Sequence, residues 1–111
     1  MEFNNSLKKN MERLAEFFKV LSEVNRLTVL EVLKDGPLNV TGVVERTGLS
    51  QALVSKHLKL LTIAGIIRRT PEGSLVFYEI VDKTVFKFLV QARKIVQSVN
   101  QSQIDAINSD R

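Results

Sequence analysis

Apolar residues recur along the first part of the chain at helical spacing. In SLKKNMERLAEFFKVLS, Leu7, Met11, Leu14, Phe18 and Leu21 alternate steps of four and three, which makes one stripe of an amphipathic helix, and Phe17 widens it. A second helix is expected from about Glu23 to Lys34 on a spine of Leu27, Leu30 and Leu33, stopped by Asp35, Gly36 and Pro37. Val29 and Val32 broaden its apolar face, so this helix should sit in the middle of the core.

Asn39 is suited to cap a short third helix, Val40 to Thr47, and Gly48 to close it, because glycine enters the left-handed turn without penalty. Ser50 can then cap a fourth helix. Its inward stripe is Val54, Leu58 and Leu61, extended by Leu49, Ile63 and Ala64. Helix, tight turn, helix is the motif over residues 39–64. The period changes next: Ile66 to Thr70 and Ser74 to Ile80 are rich in β-branched and aromatic residues, and Pro71, Glu72 and Gly73 between them read as the turn of a β-hairpin over 66–80. From Asp82 a last helix carries Val85, Leu89, Ala92, Val96 and Val99 on one side, helped by Phe86, Phe88 and Ile95, as far as Asn100. Residues 101–111 read as a polar tail, where only Ile104 and Ile107 hint at more helix.

The order α α α α β β α is that of a winged helix-turn-helix, a mainly α fold with one β-hairpin. At 111 residues, with 44% apolar and 25% charged, the chain has the size and composition of a single globular domain. It has no cysteine, which excludes disulfides, thiolate metal sites and thiol-based redox sensing. No apolar run approaches a membrane span and MEFNNSLKKNMERL lacks the apolar middle of a signal peptide, so a cytoplasmic protein is expected.

Charge sharpens the picture through its distribution. Residues 1–46 hold seven basic and seven acidic groups, whereas Lys56, Lys59, Arg68 and Arg69 lie between Arg46 and Glu72 with no acid among them. A second acid-free window, between Asp82 and Asp105, holds Lys83, Lys87, Arg93 and Lys94. Clustered cations suggest an anionic partner, although a solvated helix face can look the same.

Beside its apolar stripe, the fourth helix carries Gln51, Ala52, Leu53, Ser55, Lys56, His57 and Lys59. A helix lying in the major groove needs outward groups that are short, polar or able to meet a thymine methyl. Gln51 can pair with adenine, Ala52 and Leu53 can touch methyl groups, and Ser55, Lys56 and His57 can reach bases or phosphates. Lys59, Arg68 and Arg69 would hold the backbone. His57 is the only histidine, so no second imidazole can complete a metal site within one subunit, and Ser50 and Ser55 are not spaced to face it as nucleophiles. No nucleophile motif or phosphate-cradling glycine loop is present, and an enzyme is not expected. No cofactor is expected either.

The first and last stripes each exceed what one contact needs, which points to a subunit interface, although each could be only the core face of its helix. On the interface reading, segments 1–22 and 82–100 dimerise through Leu7, Met11, Leu14, Phe18, Phe88, Leu89, Ala92, Val96 and Val99.

NRLTVLEVL at Asn25 to Leu33, GLSQALVSKHLKLLTIAGII at Gly48 to Ile67, and EGSLVFYEI at Glu72 to Ile80 resemble the ArsR/SmtB family of winged-helix repressors. The resemblance implies a homodimer built from the first and last helices, repression by covering a palindromic double-stranded DNA operator, and release by an inducer. Two departures stand out. Where many members carry cysteines before the recognition helix, this chain has Asn39 and Thr41, and residues 83–104 offer neither histidine nor carboxylate for a zinc site between paired last helices. The inducing signal should therefore not be a metal, and a small-molecule or protein effector is left open. Ser74 stands where the family often has a basic wing residue, so the wing should contribute less to phosphate binding than usual, with Ser74 as a DNA-contacting residue at its tip. Two other readings remain open at this point: a winged-helix module that binds protein, favoured by bare Leu53, and a sequence-blind architectural DNA-binding protein.

Overall fold

The computed structural model describes residues 4–109. The first three residues of segment 1–22 and the last two of the 101–111 tail lie outside the described residues. Seven elements follow in the expected order: α1 (Asn5–Leu21), α2 (Val24–Val32), α3 (Val40–Thr47), α4 (Gln51–Ile63), β1 (Ile67–Glu72), β2 (Leu75–Ile80) and α5 (Thr84–Ser109). The chain divides into two compact units, one ending at Val81 and one starting at Asp82.

Local capping sets the helix starts of the first unit. Asn4, Glu23, Asn39 and Ser50 each accept a backbone N–H three residues on, at 2.7, 2.9, 2.8 and 3.2 Å, and so satisfy one orphan donor of each first turn. Gly48 closes α3 at φ 73°, the left-handed conformation that a side chain would resist. The core is built on α2, which packs against α1, α3 and α4 and buries Val29 and Leu30, with Leu33 just after it. Leu21 of α1, Val43 of α3, Val54, Leu58 and Leu61 of α4, Ile66 just before the wing, and Ile67 and Ile80 of the wing complete it. Leu27 does not join this core and lies exposed.

The hairpin forms one antiparallel ladder from Ile67↔Ile80 to Glu72↔Leu75. Pro71 and Glu72 therefore belong to β1 and not to the turn, which is Gly73 and Ser74. Gly73 supplies the positive φ, 63°, that a two-residue hairpin loop needs at its first position. Proline is tolerated because a two-stranded ladder has only edge strands. Tyr78 exchanges backbone hydrogen bonds with Leu38, at 2.8 and 3.1 Å, and so ties the wing to the segment before α3.

α5 is a single helix of 26 residues, about 39 Å long at 1.5 Å per residue. It runs on to Ser109 and does not stop at Asn100, because no glycine or proline follows Asn100 to break it. Asp82 accepts from the Thr84 backbone N–H and hydroxyl at 2.9 and 2.7 Å at its start, and these bonds hold the Asp82 carboxyl below the ordinary aspartate range. None of its residues is buried.

Candidate nucleic-acid interface

Ser50 begins α4 one residue before Gln51, and the helix is turned so that Val54, His57, Leu58 and Leu61 point into the core. Gln51, Ala52, Leu53, Ser55, Lys56 and Lys59 are exposed together on the other side. No acid falls among them, so a polyanion meets only cations, amide, hydroxyl and small apolar groups there.

His57 does not belong to this face. It is 3% exposed, three residues after Val54 and four before Leu61, so helix geometry puts it inside their stripe. Its expected role as a DNA contact is corrected on that ground. The spacing was the available signal; the polarity of imidazole masked it. Ile63 shows the reverse error. Expected inward, it is 73% exposed, because it follows Lys59 by four residues and shares the outer face.

The two wing arginines are separated by the pleat. Directly paired residues of an antiparallel ladder share a face and neighbours alternate. Arg68 pairs with Glu79, its Nε donating to Oε1 at 2.7 Å, while Arg69 pairs with Tyr78 on the opposite face. Arg69 and Tyr78 line a groove of about 330 Å³ with Ser55, Lys59, Thr62 and Ile63 of α4. Tyr78 and Thr62 were missed as groove residues, because which strand face meets α4 is set by tertiary packing. Ser74 is exposed at the hairpin tip.

The apolar stripe of α1 is left open: Leu7, Met11, Leu14 and Phe18 are 38–46% exposed, and Leu21 is the helix's one buried residue. On α5, Phe88, Val96 and Val99 are exposed, with Leu89 and Ala92 half-buried beside them on the same stripe. Among the described residues no helix is long and apolar enough to cross a membrane, and no group of three or more His, Asp or Glu could hold a metal ion.

Residues 23–69, from the cap of α2 into β1, match the family described as bacterial regulatory protein, arsR family. An HTH-type transcriptional regulator of Methanocaldococcus jannaschii is 36% identical over 75 residues, which are 67% of this chain and 84% of that protein. The chain belongs to the ArsR family. As an ArsR-family protein it is a transcriptional regulator with a DNA-binding winged helix-turn-helix, and its relatives are regulators, not enzymes. Among solved structures, this ArsR-family chain is similar to Rv0081 of Mycobacterium tuberculosis, with TM-score 0.74, 27% identity and coverage of 85% of this chain and 95% of that one. A winged helix-turn-helix domain of Mycobacterium bovis, described as homodimeric, has the same fold at TM-score 0.74 and 21% identity, over 87% of this chain and 90% of that one.

Proposed function

We propose that this ArsR-family regulator works in the cytoplasm as a homodimer that reads a palindromic operator through α4 and represses the promoter it covers. The observation that carries this reading is the exposed, acid-free face of α4 beside the groove that Arg69 lines. Gln51, Ala52, Leu53 and Ser55 meet base edges, and Lys56, Lys59 and Arg69 hold the phosphates. Arg68 and Ser74 contribute at most from the rim.

Two observations support the dimer. Leu7, Met11 and Leu14 on the α1 stripe and Val96 and Val99 on the α5 stripe are exposed apolar side chains at core-like spacing, with Leu89 and Ala92 half-buried beside the latter. A related fold is described as homodimeric. Two copies related by a two-fold axis would set their α4 helices on half-sites about one DNA turn, roughly 34 Å, apart.

The signal that releases the operator is not a metal on this reading. The sequence holds no cysteine and a single histidine, and Asn39 and Thr41 replace the thiolates that the resemblance would call for. Selection from a random duplex pool tests the core of the proposal: a two-fold symmetric consensus is expected. Binding without a consensus would leave an architectural DNA protein, and no binding would favour a protein-interaction module built around Leu53.

A further inference from the structure

A chain of polar contacts lies on the inner side of α4, away from the DNA-reading face. His57 is nearly inaccessible, with Nε2 3.6 Å from Glu23 Oε2 and with Nδ1 buried and, among the described residues, given no hydrogen-bond partner. Glu23 caps α2 by accepting the Arg26 backbone N–H at 2.9 Å, and Arg26 Nε donates to the Val20 carbonyl of α1 at 2.6 Å. Polar groups thus follow one another from the middle of α4, through the start of α2, to the end of α1.

A buried ring nitrogen without a partner is tolerated as a bare lone pair and is costly as an N–H. Neutral imidazole meets this constraint by carrying its proton on Nε2, toward Glu23, and leaving Nδ1 bare. A second proton would create a donor at Nδ1, for which the described residues supply no acceptor. Water is the remedy, and the ring reaches water only if α4 turns or lifts, which moves Gln51, Ser55, Lys56 and Lys59 on its far side.

The charges acting on His57 are Glu23 and Arg26 of α2 and Lys56 of its own helix. α3 and β1 also pack on α4, but their charged residues Glu45, Arg46, Arg68, Arg69 and Glu72 are all exposed. Burial pushes the imidazole below the ordinary histidine value; Glu23 opposes this, and Arg26 and Lys56 add to it.

We infer that His57 is a positioning residue for DNA binding: neutral, it seats α4 against the start of α2, and protonated, it unseats the reading face. The inference rests on the proposed role of α4. It also has a sign that separates it from direct contact. A histidine on the phosphates would strengthen binding on acidification by adding charge, whereas one beneath the reading helix weakens it. His57 is the single histidine and no cysteine is present, so no other side chain of ordinary pKa titrates in the relevant range.

The test measures affinity for the selected duplex by fluorescence anisotropy at matched ionic strength, for the wild type and for His57→Gln. Between about pH 7.5 and about pH 5.5 the wild type should lose affinity, by up to about tenfold, and the variant should lose none. Wild-type affinity that is constant or rises on acidification overturns the inference, as does an unchanged pH dependence in the variant. An NMR titration of the free wild-type protein needs neither DNA nor a folded variant. The His57 ring should titrate below the ordinary histidine value, and the amides of α4 should shift with it; a normal midpoint or a motionless α4 also overturns the inference. Absence of duplex binding at every pH would instead sink the reading of α4 as a DNA-reading helix.

Discussion

Arg68 Nε donates to Glu79 Oε1 directly across the wing at 2.7 Å, and the pleat that joins them turns Arg69 to the other face, beside Lys59. Two adjacent arginines that look equivalent in sequence therefore lie on different faces of the wing. Arg68 spends its charge largely on Glu79, a half-exposed pair worth about 0–1 kcal/mol. Arg69→Ala should lower affinity for every duplex and reduce the slope of log K against log salt by about one unit, as loss of one phosphate contact does. Arg68→Ala should leave the slope nearly unchanged. Equal slopes for the two variants would show that both arginines reach the backbone.

Gln51 and Lys56 lie within two turns on the exposed side of α4 but carry different chemistry. An amide can make a bidentate pair with adenine, so Gln51→Ala should relax preference at one position of each half-site, at a cost of about 1–3 kcal/mol on the preferred sequence. A lysine on phosphate carries no sequence information. Lys56→Ala should weaken all duplexes alike and lower the salt slope. Repeating the duplex selection with each variant checks both outcomes. A consensus unchanged by Gln51→Ala would remove that residue from base reading.

Leu14 and Val96 sit on the open stripes of α1 and α5, at 43% and 57% exposure. Glutamate at either position should leave the monomer fold intact, since neither side chain is buried, yet put a carboxylate into the proposed subunit interface. Sedimentation should show the wild type as a dimer and each variant shifted toward monomer, with operator affinity falling in parallel because half-site binding loses its partner. A wild type that sediments as a monomer at micromolar concentration would end the dimer proposal.

Local chemistry made much of this fold legible in sequence. Asn39, Gly48 and Ser50 mark the helix-turn-helix because capping depends on a few neighbouring residues, and Val54, Leu58 and Leu61 mark the buried side of α4 by spacing alone. Tertiary relationships were less visible. His57 and Ile63 exchanged sides because polarity outweighed spacing in the reading, although spacing decides which side faces the core. The Arg68 and Glu79 pair joins residues eleven positions apart, and it depends on a register that Gly73 sets by starting the turn two residues later than Pro71 suggests. The end of α5 was signalled only by Ile104 and Ile107, because the main apolar stripe lapses at Asn100, while helix continuation needs only the absence of a breaker.

Glu23 and His57 also give the fold a pH dependence whose sign can be worked out. His57 has its imidazole pushed by burial below the ordinary value of 6.5, so once the pH falls under that value the unfolded chain takes up a proton that the native chain refuses. Stability is therefore full above it and declines until the native group titrates as well. At Glu23 burial works against the carboxylate, but the Arg26 and Asn25 backbone N–H groups and the charges of His57 and Arg26 prevail and hold it below the ordinary 4.5. Its contribution persists above that value and is lost further into acid. Thermal unfolding should thus show two successive losses as pH falls. His57→Gln should remove the upper one. Glu23→Gln should shrink the lower one, to which Asp82 also contributes, and deepen the upper, because Glu23 is the one group that favours the imidazolium. A Glu23→Gln variant with a shallower upper loss would show that the carboxylate does not act on His57 across the 3.6 Å between them.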